Sequence, residues 1–191
     1  MILFLVEGDG EKRSVPILVK RLMDDVHIRC IDMNGKSNIV RAQRGFEDTI
    51  RRQQALGYRS FVVLIDNDVT SLPYRDLMEE HAGMVQRAQT ISAELEVHVE
   101  VCWAIKESES WLIGGLLPRV TYCGLRNVGR VPNNTETNPP DAKRWLQDKL
   151  NSDYNPERQA CLSSHIDIEE AQRHNSSLQS FFRMVSQMKR E

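Results

Sequence analysis

The sequence lacks a long apolar run, and none of its runs approaches the roughly 20 residues that a membrane-spanning helix requires. The first apolar run covers residues 2–6 and is followed at once by Glu7, so it is too short and wrongly flanked for a secretory signal peptide. We therefore expect a cytoplasmic protein without a membrane anchor.

An excess of positive charge is also missing. The chain has 25 Lys and Arg residues against 27 Asp and Glu residues, and its sequence pI is near 6.2. Proteins that bind nucleic acid unaided usually carry a strongly basic domain. We therefore expect local basic patches at most, with metal ions or a partner helping any contact with nucleic acid.

Cysteines are few and widely spaced: Cys30, Cys102, Cys123 and Cys161 form no Cys-x-x-Cys pair. We assign no metal role to the histidines, which are His27, His81, His98, His165 and His174. The sequence thus predicts four free, mostly buried thiols in a reducing compartment.

What is present is an ordinary globular composition: 191 residues, 40% hydrophobic and 27% charged. This length suits one domain, or one domain with a small appendage. We predict an α/β domain over residues 1–118, and a loop and helical extension over residues 119–191 that packs on the same domain.

Short apolar segments alternate with segments of helical periodicity through the first 118 residues. The pattern predicts strands near residues 2–6, 28–33, 60–65 and 97–105, and helices from residue 11, over 39–56, over 74–95 and near 110–113. Such alternation is typical of parallel crossover units. We therefore predict a three-layer α/β sandwich with a mainly parallel four-stranded sheet.

The remaining chain reads differently. Residues 128–140 are rich in Asn, Thr, Pro and Gly and predict an irregular, mobile loop. Asp141 is placed to cap a helix that runs to Leu150, and short helices are expected from there to the end of the chain.

Acidic residues follow three of the predicted strands. Glu7 comes directly after the first strand and Glu11 four residues later; Asp66 and Asp68 follow the third strand, and Glu107 and Glu109 follow the fourth. Because parallel strands end at the same edge of a sheet, these carboxylates are expected to meet there. Clustered carboxylates repel one another and are usually stabilised by a cation, so the sequence predicts a divalent-metal site.

Several of these acidic residues also have a simpler explanation. Glu11 suits the first turn of a helix, where the helix dipole favours negative charge. Glu107 suits a helix cap or a surface position, and Asp9 suits a turn, although it could reach the cation. The Asp66–Asp68 pair could form a solvated turn. These alternatives stay open on the sequence alone.

A basic stripe accompanies the second predicted helix: Lys36, Arg41, Arg44, Arg51 and Arg52. The stripe is a candidate for phosphate contact, and it equally fits a solvated helix face. The Ser163-Ser164-His165 run lacks the glycines of a nucleophile elbow, which argues against a serine hydrolase.

The order strand–Glu–Gly, then strand–Asp-x-Asp, resembles the TOPRIM domain of topoisomerases, primases and OLD (overcoming lysogenization defect) nucleases. More specifically, the chain resembles the TOPRIM-like DUF4276 family in three runs: Val6-Glu7-Gly8-Asp9-Gly10-Glu11, Leu64-Ile65-Asp66-Asn67-Asp68 and Glu107-Ser108-Glu109-Ser110-Trp111-Leu112. Asn175-Ser176-Ser177-Leu178-Gln179-Ser180-Phe181 resembles that family's C-terminal signature.

The resemblance implies an Mg²⁺- or Mn²⁺-dependent nuclease of a bacterial defence system, acting on DNA rather than RNA. It implies metal ligands at Glu7, Glu11, Asp66, Asp68, Glu107 and Glu109, with Glu7, Asp66, Asp68 and Glu109 catalytic. The chain contains no phosphate-binding Gly-x-x-x-x-Gly-Lys loop, so the family's ATPase would be a separate partner chain. The catalytic lysine of larger OLD enzymes has no clear equivalent, and Lys106 is the available substitute.

Two other functions fit the same acidic residues. One is phosphoryl or nucleotidyl transfer on a nucleotide. The other is a non-catalytic regulatory subunit that binds a metal ion to order an interaction surface.

Overall fold

The computed structural model describes residues 1–41, 44–67, 74–118, 121–126, 128–150 and 153–189, and for residues 74–82 it describes the backbone alone. Four parallel strands form one sheet within these ranges: β1 (Ile2–Val6), β2 (Ile28–Asp32), β3 (Ser60–Asn67) and β4 (His98–Ile105). Their order is β2-β1-β3-β4. The predicted α/β fold with a parallel four-stranded sheet is confirmed.

Helices connect the strands and continue after the last one. They are α1 (Asp9–Leu22), α2 (Lys36–Val40), α3 (Phe46–Ala55), α4 (Tyr74–Leu95), α5 (Glu109–Gly114), α6 (Ala142–Lys149), α7 (Pro156–His165), α8 (Ile168–His174) and α9 (Ser176–Met188), with a short 3-10 turn at Tyr122–Gly124. In the described ranges, no helix combines the length and the apolar character needed to cross a membrane.

Alternate residues of the central strands pack into two separate cores. Leu3 and Leu5 of β1 point into a core formed with α2, α3 and α4. Phe4 and Val6 point to the other face, into a core formed with α1 and α5–α9. This period-two alternation places a helical layer on each side of the sheet.

The C-terminal helices share their core with the sheet. Phe181 of α9 lies 5.9 Å from the ring of Phe4 and 5.1 Å from the ring of Trp111, measured between ring centres. The indole nitrogen of Trp111 donates to Ser177 Oγ at 2.8 Å. Residues 119–189, where described, therefore bury apolar surface against the α/β unit.

The predicted continuous helix over residues 39–56 is wrong, because the chain turns between α2 and α3. Gly45 approaches the backbone there so closely that a Cβ atom would lie 2.2 Å from the carbonyl oxygen of Ile39. Arg87 of α4 stabilises the turn: its guanidinium donates to the carbonyl oxygen of Val40 at 2.7 Å and to Glu47 at 2.6 Å. The apolar periodicity continues through this corner and so conceals it.

The segment 128–140 has no regular secondary structure, as predicted, where it is described. The expectation that it is mobile is not supported, because several hydrogen bonds hold it. The Lys106 ammonium donates to the carbonyl oxygens of Thr137 at 2.9 Å and Pro139 at 3.0 Å. Asn175 donates to Thr135 Oγ1 at 3.2 Å.

The prediction of four free thiols is wrong for two of them. Cys123 and Cys161 form a disulfide between the 3-10 turn and α7, while Cys30 and Cys102 are free. Burial raises the pKa of both free thiols to about 12, so they are inert at neutral pH. The two bonded cysteines are 38 residues apart, and no motif in the sequence predicts that they pair.

Candidate metal centre

Three loops at the carboxyl edge of the sheet are joined by hydrogen bonds between their acidic residues and backbone amides. The Asp66 backbone N–H donates to Glu7 Oε1 at 2.8 Å, which ties the end of β3 to the end of β1. The Ser108 backbone N–H donates to Asp66 Oδ1 at 3.0 Å, which ties the loop after β4 to β3. The prediction that Glu7 and Asp66 meet at one edge is thus confirmed.

Glu11 combines the two roles that the sequence left open. It lies in the first turn of α1, where its Oε2 accepts from the backbone N–H of Gly8 at 3.2 Å. Its other oxygen accepts from the Ser108 hydroxyl at 2.7 Å and points toward the acidic cluster. The side chain therefore stabilises the helix start and also lies in the cluster.

Glu11, Asp66 and Glu109 each bring a carboxylate oxygen within 4.8 Å of the others. Glu109 opens α5 and is only 5% exposed. Its pKa rises to about 7, chiefly because burial disfavours its charge and secondly because the negative charge of Glu11 lies nearby. The three residues form the acidic cluster, a compact set of oxygen donors with excess negative charge.

Other predicted ligands lie elsewhere or outside the described residues. Glu107 accepts from the backbone N–H of Lys143 at 2.9 Å at the start of α6, which is the helix-cap role left open by the sequence. Asp9 pairs with Arg13 at 2.7 Å on the exposed side of α1. Asp68 lies outside the described residues. Lys106, engaged with the 128–140 segment, is not available as a catalytic lysine at the cluster.

Three residues from the C-terminal part of the chain line the cluster, and sequence reasoning missed them. Gln159 of α7 donates to Glu11 Oε1 at 3.4 Å, and Lys143 and Tyr154 border the same cleft of about 270 Å³. The charge of Lys143 partly offsets the raised pKa of Glu109. No sequence motif links these residues to the sheet edge, because only the packing of α6 and α7 brings them there.

The Tyr154 hydroxyl is buried, yet it makes no well-formed hydrogen bond within the described part of the chain. Burial, followed by the charges of Glu109 and Glu11 and by the approach of the hydroxyl to the Glu109 carboxylate, raises its pKa well above 10, so it stays protonated. A buried hydroxyl that approaches Glu109 without good hydrogen-bond geometry is costly, and a bound group that offers it a better acceptor would relieve that cost. A hydrated cation fits, because Mg²⁺ and Mn²⁺ take carboxylate oxygens and retain water ligands.

The four arginines of the basic stripe are all exposed, and two of them have side-chain partners. Arg51 donates to Glu94 at 2.9 Å and Arg52 to Thr49 at 3.1 Å. Arg41 and Arg44 are exposed, and their guanidiniums make no pairs within the described ranges. Both line a second cleft, of about 490 Å³, that includes Met33 at the end of β2.

Comparison of the chain with protein-family models, with curated proteins and with solved structures finds no match. The acidic cluster and its surroundings are therefore the basis for a functional assignment.

Proposed function

We propose that the protein is an Mg²⁺- or Mn²⁺-dependent nuclease that hydrolyses phosphodiester bonds at the carboxyl edge of its sheet. The observation that supports this proposal is the convergence of the Glu11, Asp66 and Glu109 carboxylates, of which Glu11 and Glu109 are buried, beside the buried hydroxyl of Tyr154. The order of the acidic residues along the chain resembles that of TOPRIM nucleases, which favours the same chemistry.

Glu11, Asp66 and Glu109 would hold the cation, and the hydrogen bonds around them fix their positions. Ser108 and Gln159 orient Glu11, while Glu7 holds the Asp66 backbone in place. A bound divalent cation would supply water activation and stabilisation of the developing negative charge. Lys143, at the cleft, is placed to neutralise a phosphate oxygen of the substrate.

The cleft is small for a site that encloses a whole ligand. At about 270 Å³ it is smaller than the roughly 300–1,000 Å³ of pockets that enclose whole small molecules. It suits a cation and one phosphate group, with the rest of the substrate outside. DNA as the substrate and a separate ATPase as partner are proposed on the resemblance alone.

The test compares plasmid cleavage by the wild type and Asp66→Asn in Mg²⁺ or Mn²⁺. Asparagine preserves the shape of the side chain and keeps an oxygen that can accept from the Ser108 backbone N–H, but it removes the negative charge. We therefore expect cleavage to fall at least about 100-fold. Asp9→Asn is the matched control, because Asp9 lines the same cleft but pairs with the exposed Arg13. This control should retain nearly full activity.

Equal cleavage by the wild type and Asp66→Asn would refute the proposed site. Calorimetric titration with Mn²⁺ separates the remaining possibilities. If Mn²⁺ binds the wild type and not Asp66→Asn, yet neither protein cleaves DNA, the cluster serves a regulatory metal. Consumption of added nucleotide in the absence of polynucleotide would favour the transferase alternative.

A further inference from the structure

A second group of metal-ligating side chains lies on the far side of α7 from Gln159. It consists of Cys123, Cys161 and His165, whose ligand atoms lie within 4.8 Å of one another. His165 Nδ1 is 3.7 Å from the sulfur of Cys123 and 4.0 Å from the sulfur of Cys161. These three residues form the sulfur–histidine cluster, which shares no residue with the acidic cluster.

The backbone presents all three side chains to the same point. Cys161 and His165 are four residues apart on α7, so they project from one face of the helix. Cys123 has a positive φ of 55° within the 3-10 turn, and its carbonyl oxygen accepts from Arg158 of α7 at 2.9 Å. The Tyr122 ring stacks on the His165 ring with centres 5.0 Å apart, which limits where the imidazole can point.

We propose that the sulfur–histidine cluster binds Zn²⁺ when its disulfide is reduced. A dithiol or phosphine reductant supplies two electrons, two protons convert the sulfurs to thiols, and the reductant is oxidised. Zn²⁺ then binds the two sulfurs and the imidazole, and the two thiol protons are released to solvent. A solvent molecule completes the coordination in the open fourth position.

The separations in the cluster suit tetrahedral zinc. With Zn–S near 2.3 Å and Zn–N near 2.0–2.1 Å, the edge between a sulfur and a nitrogen ligand is about 3.6 Å. The observed distances from Nδ1 to the two sulfurs, 3.7 and 4.0 Å, are close to that value. After reduction, only the two sulfur atoms need to move apart to reach zinc-binding positions. His165 Nδ1 must also give up its 2.8 Å contact with the Cys161 carbonyl oxygen in order to bind the metal.

The two clusters select different ions. Thiolate and imidazole ligands favour Zn²⁺ and Co²⁺, whereas the all-carboxylate cluster favours Mg²⁺ and Mn²⁺. His165 is exposed and Cys161 is partly buried, so an ion reaches the sulfur–histidine cluster from solvent. Bound zinc would replace the disulfide that joins α7 to the 3-10 turn. The same helix carries Gln159, which contacts the acidic cluster.

The experiment titrates the full chain with Co²⁺, after reduction and again with its disulfide intact. Thiolate-bound tetrahedral Co²⁺ gives a near-ultraviolet charge-transfer band, which oxygen ligands do not produce. We expect the band at one equivalent in the reduced protein, its disappearance on addition of Zn²⁺, and its absence in the oxidised protein. Cys123→Ser and Cys161→Ser should each reduce the band by at least about half, and His165→Asn should weaken Co²⁺ binding about tenfold or more.

Two control variants separate this site from the rest of the molecule. Glu109→Gln removes a carboxylate of the acidic cluster and should leave the band unchanged. Cys30→Ser removes a free thiol and should also leave it unchanged. The proposal is overturned if the reduced wild type shows no band, or if the band keeps its full intensity in Cys123→Ser.

A measurement on the wild type covers the case in which the serine variants fail to fold. Zn²⁺ should slow alkylation of Cys123 and Cys161 in the reduced protein by at least about tenfold. Equal alkylation rates with and without Zn²⁺ would overturn the proposal independently of any variant. Neither readout involves phosphodiester cleavage, so failure of the proposed nuclease function would leave this test unaffected.

Discussion

At the residue scale, the buried carboxyl of Glu109 is held in the folded protein at an energetic cost that a bound cation would relieve. Its carboxyl is buried beside Glu11, and its pKa rises from 4.5 to about 7. Protons and cations therefore compete for this residue below neutral pH. Metal affinity is expected to increase with pH up to about 7 for this reason.

The same shift predicts a pH dependence of folding stability in the metal-free protein. Between pH 4.5 and about 7 the folded state binds more protons at Glu109 than the unfolded state, so stability falls as pH rises through that window. The loss can reach about 3 kcal/mol, at 1.36 kcal/mol for each pKa unit. Urea unfolding in a chelating buffer at a series of pH values measures it.

Glu109→Gln supplies the control for this prediction. The amide keeps the side-chain shape without a titrating proton, so the variant should lose less stability over the same pH range and be the more stable protein at pH 8. Parallel pH profiles for the two proteins would contradict the assigned cause. If Mn²⁺ binds the wild type and not the variant, as the proposed site requires, excess Mn²⁺ should reverse the order.

The contrast between Glu7 and Gln159 shows what sequence can reveal about such a site. Glu7 and Asp66 follow apolar strands directly, and the geometry of parallel strands then brings them to one edge. Gln159 and Tyr154 reach the cluster only through the packing of α7 on α1, which depends on tertiary contacts that no local pattern encodes. Part of the acidic cluster was therefore predictable and its surroundings were not.

At the scale of secondary-structure elements, strong periodicity predicted most of the fold. β1 covers the predicted residues 2–6, and α6 begins after the Asp141 cap, whose side chain accepts from the backbone N–H of Arg144. The missed feature is the corner between α2 and α3, where apolar periodicity continues although the chain turns. The corner depends on the close approach of Gly45 to the backbone of Ile39 and Arg41, which the periodicity of apolar residues does not predict.

This corner makes Gly45→Ala a sharp test of the packing. The added Cβ would lie 2.2 Å from the Ile39 carbonyl oxygen and 2.6 Å from that of Arg41, so the backbone must move. We expect a loss of about 2 kcal/mol or more in the free energy of unfolding, measured by urea denaturation.

Gly83→Ala is the matched control and should increase the free energy of unfolding instead of lowering it. Gly83 lies within α4, and a Cβ there meets no atom within 4 Å. Alanine in a helix interior stabilises by about 0.5–1 kcal/mol relative to glycine. If both variants were destabilised alike, the effect could not be assigned to the α2–α3 corner.

At the scale of the whole molecule, the acidic cluster and the arginine cleft lie along connected parts of one edge. The backbone N–H of Met33 donates to the Val6 carbonyl oxygen at 2.9 Å, and that of Gly35 donates to the Glu7 carbonyl oxygen at 2.7 Å. Met33 also lines the cleft with Arg41 and Arg44. A polynucleotide whose scissile phosphate lies at the acidic cluster would therefore extend toward these two arginines.

This arrangement predicts a specific salt dependence for DNA binding. In an Asp66→Asn background, which prevents cleavage, Arg41→Gln/Arg44→Gln should weaken binding and reduce the slope of log K against log salt. Each lost phosphate contact lowers the slope by about 1, so we expect a decrease of up to about 2. Fluorescence anisotropy of a labelled oligonucleotide over a range of salt concentrations measures this slope.

The double variant Arg126→Gln/Arg130→Gln is the appropriate control, because it removes the same total charge from exposed positions on the connection between the 3-10 turn and α6. A net-charge effect acts through the field of the whole protein and would change both double variants alike. Direct phosphate contact would change only the pair at the α2–α3 corner. Equal slopes for the two variants would therefore remove Arg41 and Arg44 from the proposed path of the nucleic acid, while leaving the acidic cluster to be tested by cleavage.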